Sequence, residues 1–100
     1  MPIRGEARTA SALGEAPSQS GVYALYENSM LIYIGSAIEG ESTIQERLRE
    51  HKVGNKGPCT KWFTHYRYEI TDAQMTRERE LLQEYSKRHG RVPRCNNEIP

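Results

Sequence analysis

No stretch of the chain approaches the ~20 consecutive apolar residues that a transmembrane helix needs, so no membrane partner is expected. The opening residues, MPIRGEARTASALGE, lack the apolar segment of a secretory signal, and a cytoplasmic location is the expectation. Cysteine is scarce. Cys59 and Cys95 form no CxxC pair and are too few for a zinc site. Disulfides are rare in reducing compartments, so both are expected as free thiols. Hydrophobic residues reach only 36% of a 100-residue chain, which suits one small α+β domain with much surface. Strong charge of either sign is also missing. The net charge of +1 names no partner by itself.

The distribution of charge is more telling. Residues 1–46 carry a balance of −4, residues 47–67 one of +5, and residues 68–85 one of −3; residues 86–97 hold four basic residues and no acid. Two basic blocks brought together by the fold would make a positive face, the electrostatic footprint of phosphate binding. A solvated surface with scattered charges is the plain alternative.

The stretch from Gly21 to Gly35, GVYALYENSMLIYIG, reads as a β-hairpin. Val22 to Tyr26 and Leu31 to Ile34 are β-branched, aromatic or small apolar residues, and Glu27, Asn28 and Ser29 supply turn chemistry. Tyr23 stands near the start of one strand and Tyr33 near the end of the other, so antiparallel pairing makes the phenols neighbours. Gly21 and Gly35 each mark a tight turn or a close approach.

Around the hairpin, residues 1–20 are expected as a mobile arm, with at most a short helical turn at Ser11 to Glu15, leaving 21–100 as the domain. Ser42 or Thr43 can cap a helix running from about Thr43 to Val53, with Gln45 and Glu46 at capping-box spacing. Arg47 and His51 share a helix face beside Ile44 and Leu48. Trp62 to Ile70 reads as a third strand rich in aromatic core, with Trp62 alternatively free to stack on a nucleobase. Ala73 to Arg88 is a helix by propensity, with Met75, Leu82 and Tyr85 as its buried stripe. Glu78 lies along that stripe beside Leu81, where a carboxylate needs a compensating partner. Glu80 and Glu84 lie on the flank toward solvent.

Together these residues resemble the GIY-YIG nuclease superfamily. Gly21-Val22-Tyr23 matches the first half of its signature with Val for Ile, and Tyr33-Ile34-Gly35 matches the second half. The resemblance continues in Arg47-x-x-x-His51, in Glu78 followed by Leu81 and Leu82, and in Pro93-x-x-Asn96. Arg47 lies twelve positions after Gly35, a longer spacing than the family's commonest, with the excess in the acidic segment Ile38 to Ser42. The fold so implied is a small three-stranded antiparallel sheet flanked by helices.

The activity implied is endonucleolytic hydrolysis of DNA, double-stranded or branched, with Mg²⁺ or Mn²⁺. Glu78 would hold the metal, with Glu80 as runner-up; a single carboxylate suffices for a hydrated Mg²⁺, which keeps most of its waters. Arg47 would bind the nonbridging phosphate oxygens. Tyr23 or Tyr33 would take the water's proton with help from His51, although a phenol with an ordinary pKa near ~10 needs its pKa lowered to do so at neutral pH. Gly35, Ser36, Arg49, Lys52, Lys56, Lys61 and Asn96 are the expected substrate contacts. A 100-residue chain leaves no room for a separate DNA-reading domain, so a specificity subunit or homodimer is an expected partner. Two other readings stand beside this one: a nucleic-acid-binding module that does not cleave, and an interaction domain in which Glu78 is a structural ion pair.

Overall fold

A computed structural model describes residue 3 and residues 5–97. The fold is α+β, a four-stranded antiparallel sheet flanked by helices. In chain order it runs β1 (Arg8–Thr9), a 3₁₀ helix (Ala10–Glu15), β2 (Gly21–Glu27), β3 (Met30–Ala37), α1 (Ile44–Lys52), α2 (Pro58–Lys61), β4 (His65–Ile70) and α3 (Gln74–His89). The strand order is β1-β4-β2-β3.

β2 is interior and buried on both faces, which explains why GVYAL reads as a continuous apolar run. Strand alternation divides it. Tyr23 and Leu25 join a core with Ile44 and Leu48 of α1 and with Phe63 and Tyr66, whereas Val22 and Ala24 join Ile34, Leu81 and Leu82 under α3. The hairpin turns at Asn28, whose φ of 57° is left-handed, a conformation asparagine tolerates better than most residues.

Helix α1 begins as its sequence directs. Thr43 Oγ1 accepts from the Glu46 N–H at 3.2 Å, and Glu46 Oε1 accepts from the Thr43 N–H at 2.8 Å, a complete capping box. Its buried stripe is Ile44, Leu48 and His51, so the helix holds the histidine against the sheet.

The structure corrects several expectations. The sheet has four strands, not three, because the expected arm supplies one. Arg8 pairs with Tyr66 and Thr9 with His65, the Ala10 N–H donates to the Thr64 carbonyl at 2.8 Å, and Ala10 and Ala16 enter the core. The strand expected from Trp62 starts only at His65, since Pro58 opens a helical turn that carries the chain to Lys61. On α3 the buried stripe is Gln74, Leu81 and Leu82, while Met75 is 61% exposed.

The two cysteines are not free thiols. Cys59 and Cys95 form a disulfide with their Cα atoms 5.7 Å apart. The expectation of free thiols, which assumed a reducing compartment, is thereby overturned. No helix among the described residues is long and apolar enough to cross a membrane.

Candidate active site

The β2–β3 register sets Tyr23 opposite Gly35 and Leu25 opposite Tyr33. Tyr23 and Tyr33 are therefore diagonal neighbours on one face, with ring centroids 6.1 Å apart. Gly35 makes this possible. A Cβ on it would stand 2.7 Å from both Cζ and Oη of Tyr23 and 2.7 Å from Cε2 of Tyr33. Expected as a place for substrate to approach the backbone, Gly35 instead makes room for the two phenols.

From α1, His51 meets both rings, with centroid distances of 5.6 Å to Tyr23 and 4.8 Å to Tyr33. Its Nε2 lies 2.8 Å from Tyr23 Oη, and its Nδ1 lies 2.7 Å from Thr60 Oγ1 in α2. Tyr23, His51 and Thr60 thus form a buried hydrogen-bonded chain. In a neutral imidazole one nitrogen donates and the other accepts, so the chain can run in either direction. Sequence reading missed Thr60. A hydroxyl in a turn-rich stretch carries no signal of its own; only the need of a buried His51 for a second partner points to it.

Burial, with the nearby cations Arg47 and Lys56, lowers the His51 pKa to about 4, so the ring is neutral at pH 7. This gives a prediction. Between pH 6.5 and about 4 the unfolded chain binds a proton that the folded one refuses. Stability is therefore full above pH 6.5 and falls on acidification toward pH 4, by at most about 3 kcal/mol. Urea melts across that range should show this slope, and His51→Gln should flatten it; an unchanged slope in the variant would assign the effect to other groups.

One helical turn before His51, Arg47 donates from Nη1 to Glu50 Oε1 at 3.2 Å. Its Nε is buried without a hydrogen-bond partner. Burial works against its charge, but the Tyr23 phenol and the Glu50 carboxylate outweigh it and hold its pKa above the ordinary value.

Both phenols are raised above the ordinary tyrosine range. For Tyr23 the cause is first burial, then Tyr33; for Tyr33 it is first burial, then the charge of Glu78. Arg47 acts in the opposite direction on both. Half-buried Glu78 on α3 is thus electrostatically coupled to both tyrosines. The runner-up, Glu80, is exposed and faces a separate cluster: Arg77 approaches it at 3.7 Å and donates to both Glu69 oxygens at 2.8 and 3.1 Å.

The fold therefore brings Tyr23, Tyr33, Arg47 and His51 together, with the charge of Glu78 felt by both phenols. The expected substrate contacts are placed less uniformly. Arg49 is exposed on α1, and Ser36 sits on β3 opposite Val22. Lys52 lies over the Phe63 ring at 5.8 Å, Lys56 approaches Glu50 at 3.8 Å, and Lys61 lies over the Trp62 ring at 5.2 Å. Asn96 has its amide engaged with the backbone. Its side chain accepts from the Ile34 N–H at 2.9 Å and donates to the Ile34 carbonyl at 3.0 Å, so its amide is spent on the outer edge of β3. Beside it the Cys95 N–H donates to the Ile32 carbonyl at 2.8 Å, and the two residues together cover an otherwise open strand edge.

The two basic blocks merge only in part. Arg94 pairs with Glu27 at 3.4 Å and adjoins Cys95, which is bonded to Cys59 of α2. Arg88 lies on the other face of the sheet, lining a cavity of about 180 Å³ with Tyr26, Leu81 and Tyr85.

Among the described residues no group of three or more His, Cys, Asp or Glu could hold a metal ion. The donor set at the tyrosines is one carboxylate among hard oxygen groups. That chemistry fits a hydrated Mg²⁺ or Mn²⁺ bound mainly through water, and does not fit a closed protein cage. Compared with models of protein families and with curated proteins, the chain finds no match.

Proposed function

We propose that this domain is a divalent-metal-dependent endonuclease of the GIY-YIG type acting on DNA. The observation that supports it best is the convergence of Tyr23, His51 and Arg47, with the charge of Glu78 acting on both phenols. These residues span the chain from β2 to α3, and packing alone does not require this set of types in one place.

Arg47 binds the nonbridging oxygens of the phosphodiester through its terminal guanidinium nitrogens. Tyr33 is half-buried, so it is the phenol that meets the attacking water; Tyr23 is wholly buried and acts through its neighbours. The water's proton goes to the Tyr33 phenolate, formed by loss of the phenolic proton to solvent, a loss that Arg47 favours and burial opposes. His51, neutral and hydrogen-bonded to Tyr23 Oη, orients the phenol pair and takes no net proton. Glu78 would hold the metal, whose chemistry when bound is to neutralise charge on the phosphoryl group and leaving oxygen.

The raised phenol pKa values and the single carboxylate also favour a second reading, a module that binds nucleic acid without cutting it. Plasmid nicking decides between them. The expected result is nicking with Mg²⁺ or Mn²⁺, none with chelator, and loss in Glu78→Ala with unchanged circular dichroism. A wild type that shifts DNA in gels but cuts none, alone or beside a specificity subunit or as a homodimer, supports the binding module. Loss in Glu80→Ala but not Glu78→Ala would move the metal to the Arg77 cluster.

A further inference from the structure

The site has an aromatic neighbour with no role in the chemistry above. Trp62 is the only tryptophan of the chain and is 72% exposed. It follows α2 directly, two residues after the Thr60 that holds His51. Its exposure is not imposed by strand alternation, because β4 begins only at His65. Phe63 beside it is buried, and so is Tyr66. The chain thus leaves its largest apolar side chain in water, two residues along from Thr60 of the buried hydrogen-bonded chain.

One cation lies against it. Lys61 lies over the indole with Nζ 5.2 Å from the ring centroid, and its stem packs beside Gly54. In the same loop region Lys56 Nζ lies 3.8 Å from Glu50 Oε1, which also pairs with Arg47 Nη1 at 3.2 Å, so two further cations flank one carboxylate. An aromatic face beside a run of cations complements one strand of nucleic acid, whose bases stack while its phosphates are held. Paired bases in a duplex do not present a free face to an indole.

We propose that Trp62, with Lys61 and Lys56, is a stacking platform for an unpaired nucleotide beside the phosphate held by Arg47. This rests on the nuclease reading for the role of Arg47, and it narrows the substrate to DNA with an unpaired segment at the cut: single-stranded, flapped or branched. The platform itself needs no metal, so its test is independent of cleavage.

The full chain is titrated in chelator with a short single-stranded oligonucleotide and with a blunt duplex of the same sequence, following Trp62 fluorescence and the anisotropy of a labelled strand. The expected result is quenching by the single strand and at least tenfold tighter binding of it than of the duplex. Trp62→Ala should weaken single-strand binding roughly ten- to hundredfold, change duplex binding by less than about twofold, and melt as wild type does. Trp62→Phe should keep most of the affinity by anisotropy. Saturating single-strand binding without quenching, or binding unchanged in Trp62→Ala, overturns the platform, and an indole that responds only to another protein chain would reassign it as a protein contact. Quenching and discrimination in a protein that cuts nothing would retain the platform while removing the nuclease.

Discussion

Gly21→Ala should cost about 3 kcal/mol or more and lower the melting temperature by roughly 12–24 °C, using the ~4–8 °C per kcal/mol expected for a domain of this size. The added Cβ would lie 2.2 Å from the main-chain oxygen of Glu69, 3.1 Å from its carbonyl carbon and 3.1 Å from Ile44 Cδ1. Glu69 belongs to β4, which pairs with β2 along its length, so the oxygen cannot rotate away as a side chain could. Relief requires opening the end of the β2–β4 ladder, where Gly21 pairs with Ile70, or lifting α1 from its core. With a total stability of about 5–15 kcal/mol for such domains, much of the margin goes. Gly35→Ala is the control. Its Cβ meets the far ends of two side chains, Tyr23 and Tyr33, which can give way. That variant should lose about 1–2 kcal/mol while the displaced Tyr23 breaks its bond to His51. Thermal melts by circular dichroism separate the two glycines; equal losses would mean that the second glycine is also required mainly by the backbone.

The same contrast shows what could be read from the residues. The hairpin was legible because β2 is covered on both faces, which leaves a dense apolar run in the sequence. Helix α1 was legible because its start is local chemistry, a threonine and a glutamate three residues apart. Glu78 was legible as a carboxylate beside Leu81 and Leu82, although Met75 was wrongly placed in that stripe and Gln74 took its position. What was not legible depends on distant partners. Nothing in Arg8–Thr9 announces a strand; pairing with β4 makes it one. Thr60 is defined by His51, and Asn96 by the unpaired edge of β3. In neither case does local periodicity carry the information. Nor was it legible that Pro58 opens a helical turn, which delays β4 and leaves Trp62 in solvent.

Reducing the Cys59–Cys95 bond, or replacing both residues in Cys59→Ser/Cys95→Ser, should lower the unfolding free energy by about 2–4 kcal/mol. The two cysteines are separated by 36 residues, and closing a loop of that size in the unfolded chain costs an entropy worth about 4 kcal/mol at 25 °C, before any native-state strain is subtracted. The bond also joins two elements that each hold one side of the candidate site. Cys59 precedes Thr60, which carries His51, while Cys95 adjoins Asn96, which holds the β3 backbone next to Tyr33 and Gly35. A four-residue helix such as α2 has little stability of its own, so its position depends on such ties. Urea denaturation with and without a thiol reductant measures the effect. The reduced wild type should match the double serine variant, and that variant should ignore the reductant. A wild-type midpoint unmoved by a reductant shown to open the bond would mean that the core alone holds α2. In that case Tyr23, His51 and Thr60 would keep their geometry in a reducing compartment as well as an oxidising one.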